Sequence, residues 1–374
     1  MVKVLDTFEK RAFTFDKMLG VNSTQSEVFE EVKGAVVSIM HGFNGTILAY
    51  GQTSSGKTWT MEGPNLVDAE AQGVIPRAIR LLFDLIIGAD IKTVFTVSVS
   101  YFEVYCEKLR DLLNPAQDNM KIRESKENGY SIAELTEVYC ANIEGVINVI
   151  ETGKVNRASA PTLMNAESSR SHSILTILVT QKNEDRGVNM RGKLFLVDLA
   201  GSEKISKTGA TGTRLEEAKN INKSLTTLGM VINALCEGNS QHVCYRDSKL
   251  TRILMDALGG NCKTTLIINC APEVRHVPET LSTLRFGDRA KNIKNKVKVN
   301  EELGVGELTK LLAAARAELD DLRALSELAS RGAGREEDSI LDDGAYRTNL
   351  NESSIIHGLN VRIADLEEEI EVRR

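Results

Sequence analysis

Residues 45–58 read GTILAYGQTSSGKT, and this stretch decides the fold class. Its first six residues form a short apolar run, strand-like in length, with a turn signal before it and glycine after it. The next eight, Gly51, Gln52, Thr53, Ser54, Ser55, Gly56, Lys57 and Thr58, fit G-x-x-x-x-G-K-[ST]. A helical pattern follows, so the motif sits between a strand and a helix, the context in which it binds phosphate. Each residue type has its own task there. Glycines let backbone N–H groups curl around phosphate oxygens, and a helix start adds positive potential. A lysine supplies charge to the β- and γ-phosphates, and a threonine hydroxyl ligates Mg²⁺.

Working outward, residues 92–104, 172–180, 193–197 and 264–270 are similar β-branched, apolar runs. Helical patterns separate them. In residues 26–41, for example, Val28, Phe29, Val32, Val36 and Ile39 fall near a period of 3.6. Alternating strands and helices predict a layered α/β domain. Past Asn300 the pattern changes. Val305, Leu308, Leu312, Ala315, Leu319 and Leu322 alternate spacings of three and four, and Ile356, Leu359, Ile363, Leu366 and Ile370 restart the same seam. Residues 330–350 between them lack periodicity and read as a linker. Either seam reads equally as an ordinary surface helix.

Composition narrows the function classes. The chain has 374 residues, 42% hydrophobic and 26% charged, within the globular range. No apolar run approaches the roughly 18 residues of a membrane span, and no secretory signal opens the chain, which reads as soluble and non-exported. Six cysteines without a C-x-x-C pair argue for free thiols. Residues 301–374 carry 9 bases and 18 acids, leaving +3 of the net −6 for residues 1–300. A near-neutral body with an acidic tail argues against nucleic acid as partner while allowing one basic face.

Two further segments bear on the phosphate site. Residues 165–172 (NAESSRSH) pack hydroxyls and one guanidinium into a loop before a strand; alone they read as a serine-rich turn. Residues 198–203 (DLAGSE) follow the apolar strand KLFLV. Asp198 is placed like a Walker-B acid of the Mg²⁺ shell, and Gly201 lets a backbone N–H approach a γ-phosphate. A plain strand-end turn is the alternative.

Together, AYGQTSSGKTWTMEG, NAESSRSH, LVDLAGSE and YRDSKLTRIL resemble the kinesin motor family over roughly residues 10–300. The resemblance implies a P-loop NTPase-type three-layer α/β/α motor domain with a mixed central sheet, followed by short coiled-coil helices. It implies ATP and Mg²⁺ as cofactors and microtubules as partner. It further implies plus-end-directed movement, a homodimer through the heptads, no nucleic acid, no membrane insertion, and a location in the cytoplasm on the cytoskeleton. The expected segments are a motor at 1–290, a neck linker at 291–304, a neck helix at 305–329, the linker at 330–350 and a second coiled coil from 351 to 374.

By the same resemblance Arg170 and Glu203 form a salt-bridged gate over the γ-phosphate. Asn165, Ser168, Ser169 and Gly201 assist catalysis, and Thr58, Ser169 and Asp198 serve Mg²⁺. Trp59 follows the P-loop where the family often has histidine, beside the base. Lys204, Lys207, Lys219, Lys223, Arg246, Lys249 and Arg252 fall on microtubule-binding positions, and cations suit an acidic track. One departure stands out: no Arg-x-Arg-Pro segment precedes the P-loop, so the family's first strand and its adenine platform are expected to be missing. A start internal to a longer protein is the expected reason. Partial replacement by MVKVL and a weakened nucleotide site are the alternatives. Cys244 also replaces the proline usual before Tyr245.

Overall fold

The computed structural model describes residues 2–5, 10–66, 68–125, 129–158, 170–183, 188–203, 213–238, 243–303, 305–333 and 343–373. The first two strands, β1 (Val2–Leu5) and β2 (Lys10–Phe13), pair antiparallel as a separate two-stranded sheet. Val2–Leu5 therefore does not fill a place in the main sheet, as the alternative for MVKVL would have it.

Helix α1 (Gln25–Ile39) starts at a capping box: the Thr24 hydroxyl accepts from the Glu27 amide while Glu27 accepts from the Thr24 amide. Strand β3 (Gly45–Tyr50) is buried along its whole length and leads through the P-loop into α2 (Lys57–Met61). Then come α3 (Val74–Ile87), β4 (Thr93–Tyr105) and β5 (Lys108–Asp111). A hairpin of β6 (Ile122–Ser125) and β7 (Gly129–Ile132) precedes β8 (Val138–Tyr139) and α4 (Ile143–Ala158). Strands β9 (His172–Asn183) and β10 (Val188–Asp198) lead to α5 (Thr213–Cys236), α6 (Lys249–Ile253), β11 (Lys263–Ile268) and α7 (Val277–Ala290).

The main sheet runs β11-β3-β10-β9-β4-β5, with β8 beside β4. Strands β10 and β11 flank β3 in parallel, whereas β5 and β8 run antiparallel to β4, so the sheet is mixed. Strand alternation divides the core between its two faces. Ile47 and Ala49 of β3 join α1, α3 and α4 in one apolar cluster. Leu48 and Tyr50 join α5, α6 and α7 in the other. That is the expected α/β/α layering, with the P-loop at the carboxyl end of its inner strand. Strand β11 ends the sheet path, and its residues 264–268 are only half-buried.

The compact body extends past 290 to Asn300, because residues 291–300 are hydrogen-bonded along it. A second unit comprises Lys182–Asn189 and Glu301–Arg374, with β12 (Glu301–Leu303), α8 (Val305–Ala333) and α9 (Asp343–Arg373). Part of the linker expected at 330–350 is helical: α8 runs to Ala333 and α9 begins at Asp343. Leu308 packs with Leu366 and Ile370, Arg316 pairs with Glu367, and Arg323 donates to Asn360. Residues rising along α8 meet residues falling along α9, so the two seams cover each other in an antiparallel hairpin within one chain.

Candidate nucleotide site and switch elements

The P-loop turns sharply at Gly56, whose φ of 97° lies in the left-handed region where a side chain would be strained. That turn places Lys57 inward, only 7% exposed. Its ammonium donates to the carbonyls of Gly51 (3.0 Å) and Gln52 (2.9 Å), folding the loop around itself. Burial lowers the Lys57 pKa, opposed by the charges of Asp198 and Glu203. Trp59, two residues on, is 57% exposed.

Parallel pairing of β3 with β10 sets Asp198 opposite Ala49 and brings it beneath the P-loop. The Thr58 hydroxyl donates to Asp198 Oδ2 at 2.6 Å. Asp198 Oδ1 is buried with no hydrogen-bond partner, and burial raises the carboxyl's pKa against the pull of Thr58, Arg157 and Lys57. A buried carboxylate with a spare oxygen beside a hydroxyl is an oxygen donor set that suits Mg²⁺. The residues present fit the metal.

From Asp198 the chain continues alongside the P-loop. Leu199 N–H donates to Ala49 O, and Ser202 N–H to Gly51 O. Glu203 then reaches Thr53: one carboxylate oxygen accepts from the Thr53 amide (2.8 Å) and the other from its hydroxyl (2.5 Å). Gly201 lies under this contact. A Cβ there would stand 2.3 Å from Thr53 Oγ1 and 2.4 Å from a Glu203 oxygen.

The segment that leads into β9 is anchored at its base. Arg157 of α4 is buried against Glu103 and donates to the hydroxyl and carbonyl of Ser171. Ser173 donates to the buried Tyr101 hydroxyl. Arg170 stands half-buried just before them. Asn165, Ser168 and Ser169 lie outside the described residues.

Matching the kinesin motor-domain family model, residues 2–293 cover more than three-quarters of the chain. The chain belongs to the kinesin motor-domain family.

It is 56% identical over 310 residues to a kinesin heavy chain of Syncephalastrum racemosum, covering 83% of this chain and 33% of that protein. It is 52% identical over 301 residues to rat kinesin heavy chain isoform 5C, covering 80% and 31%. A solved structure of a fast kinesin superposes with a TM-score of 0.75 at 54% identity, covering 79% of this chain and 83% of that one. The chain spans about a third of the length of the kinesin heavy chains it matches.

Of the basic positions, Arg246 and Arg252 of this kinesin meet the β6–β7 hairpin, and Lys249 meets the residues just before it. Arg246 pairs with Glu124 at 3.0 Å, Lys249 Nζ donates to Asn119 Oδ1 at 2.8 Å, and Arg252 lies 5.4 Å from the Tyr130 ring centre. Lys223 is exposed on α5. Lys204 and Lys207 lie outside the described residues, as does the Lys219 side chain. Sequence reading did not foresee that the hairpin would join these cations, because nothing local links residues over 100 apart.

It also passed over two asparagines in the lysine-rich run 291–300. Asn295 donates to the carbonyls of Ala257 and Cys262 and accepts from Gly259 N–H. The Asn300 side-chain amide donates to Gly42 O and Arg191 O, and its backbone bonds the same two residues. An amide among cations, with a donor and an acceptor to place, was the available signal.

Proposed function

We propose that this chain is a microtubule-stimulated ATPase motor, coupling ATP hydrolysis to plus-end-directed movement. One observation carries the reading: the P-loop and the DLAGSE segment share two direct contacts, Thr58 to Asp198 and Thr53 to Glu203. Whatever occupies the γ-phosphate position must move the segment that leads into α5, the helix bearing Lys219 and Lys223. Phosphoryl transfer needs positioning and charge stabilisation more than covalent chemistry, and the residues here supply those. Bound Mg²⁺ would neutralise charge on the β- and γ-phosphate oxygens, held through Thr58, Asp198 and Ser169. Lys57 leaves the loop carbonyls to meet phosphate, and Trp59 offers an aromatic face to the base. Glu203 exchanges Thr53 for Arg170 as the gate closes, with Asn165, Ser168 and Gly201 orienting the attacking water.

Residues 291–300 act as a neck linker, lying along the body as ATP is bound and leaving it afterwards. The basic set Lys204, Lys207, Lys219, Lys223, Arg246, Lys249 and Arg252 faces the acidic track, with salt-sensitive affinity. A homodimer through the heptads requires the α8–α9 hairpin to open, since each seam is covered by the other. Work on microtubules places the protein in the cytoplasm, on the cytoskeleton.

The second reading is a microtubule-binding protein that handles nucleotide weakly. ATP turnover with and without microtubules separates the two. Stimulation of at least tenfold is expected, and binding to microtubules without stimulated turnover would establish the second reading.

A further inference from the structure

His172 is buried at the start of β9, 2% exposed, and hydrogen-bonded at both ring nitrogens. Ala200 N–H donates to Nδ1 at 3.0 Å, so that nitrogen carries no proton. The proton therefore sits on Nε2, which faces the Ser224 hydroxyl at 2.7 Å and donates to it. Ser224 in turn donates to Ile221 O, one turn back in α5, at 2.6 Å. Every donor in this chain has an acceptor, and the tautomer follows from the partners. Burial, with Arg157 and Lys57 nearby, keeps the ring neutral.

The three partners belong to three different elements. His172 closes the segment that holds Arg170. Ala200 immediately precedes Gly201, on which the Thr53–Glu203 contact rests. Ser224 is 2% exposed on α5 and follows Lys223. The base of the assembly is rigid, because Arg157 fixes Ser171 and Tyr101 binds Ser173 on either side of the histidine.

We propose that the neutral His172 imidazole is a positioning residue that couples the phosphate-sensing backbone at Ala200–Gly201 to helix α5 through Ser224. Movement of Ala200 as Glu203 changes partner pulls on Nδ1. The ring is stiff, so the pull reappears at Nε2 and shifts the turn of α5 from Ile221 to Leu225, which is buried at both ends. Coupling of this kind needs an element with two arrangements that both sites bias, and that part is here assigned to α5. The inference rests on the motor reading above and adds to it the residue that carries the signal.

The test uses the whole chain and two readouts: basal ATP turnover, and microtubule affinity by co-sedimentation with ADP and with a non-hydrolysable ATP analogue. Ser224→Ala removes the α5 link alone. It should bind nucleotide and hydrolyse it within about twofold of the parent, while the ratio of the two affinities shrinks at least fivefold. Ser224→Thr, which keeps a hydroxyl, should restore the ratio. His172→Asn retains an acceptor near the Nδ1 position without reaching Ser224, and should behave like Ser224→Ala; it decides the matter if Ser224→Ala loses its fold by circular dichroism. An unchanged ratio in a folded variant overturns the proposal. A parent chain whose affinity ignores the nucleotide overturns the motor reading instead.

Discussion

The rings of Tyr50 and Phe286 lie flat on one another, centroids 3.7 Å apart and planes 7° from parallel. Tyr50 ends the strand that feeds the P-loop, while Phe286 lies in α7, one turn before the run 291–300. Burial pushes the pKa of the Tyr50 hydroxyl up to about 12, against a smaller lowering by Ser202, next to Glu203. One side chain thus joins the end of the P-loop strand to the helix that leads to the neck. Phe286→Ala should cost about 3–5 kcal/mol, as for a large aromatic removed from a packed core. Tyr50→Phe keeps the stack and removes only the hydroxyl, so it should cost about 1 kcal/mol at most. Urea denaturation of the two variants measures the difference.

Lys57 and Asp198 should fail in different ways. Lys57→Ala removes the only ammonium among the described residues held inside the loop, and turnover should fall by about 10²–10³. Asp198→Asn keeps the shape but loses the charge facing the metal. The Mg²⁺ concentration for half-maximal turnover should rise about 10–100-fold. A magnesium titration of both variants separates the two effects.

Glu203→Ala should leave nucleotide binding intact and abolish turnover, with a loss of at least about 10². The Thr53 amide, freed of its carboxylate partner, is then open to phosphate, so nucleotide should bind no more weakly than in the parent. Trp59 is the chain's single tryptophan and is exposed beside the loop, so its fluorescence reports binding directly. A Glu203→Ala protein that hydrolyses ATP at the parental rate would refute the assignment.

Acid should weaken the fold through His172. Its pKa is lowered from 6.5 to about 3 by burial, then by Arg157 and Lys57. Between those values the unfolded chain binds a proton that the folded chain refuses. Stability present above pH 6.5 is therefore lost as pH falls, by up to about 1.4 kcal/mol per unit. Asp198, raised by burial, acts in the opposite sense but is common to parent and variant. The stability advantage of the parent over His172→Asn should shrink as denaturation is repeated from pH 7 down to pH 5.

Leu308→Asp should open the helical hairpin without touching the nucleotide site. Leu308 is fully buried against α9, and a carboxylate there has no partner to offset its desolvation. Part of the helical circular dichroism should melt at lower temperature, while the Trp59 response to ATP stays unchanged.

Read alone, the sequence determined the strand–loop–helix at residues 45–61, the layered α/β architecture, the acid at Asp198 and the two apolar seams. These signals are local: period, turn chemistry and motif spacing act within a few residues, so they are visible without a fold. Tertiary structure alone decided who meets whom. It gave Glu203 to Thr53 and placed the β6–β7 hairpin against Arg246 and Arg252. It also pinned residues 291–300 through Asn295 and Asn300, and turned the seams of α8 and α9 toward each other within one chain. Those pairings join residues tens to hundreds of positions apart, and their energy comes from burial and hydrogen bonds that exist only once the chain has closed on itself.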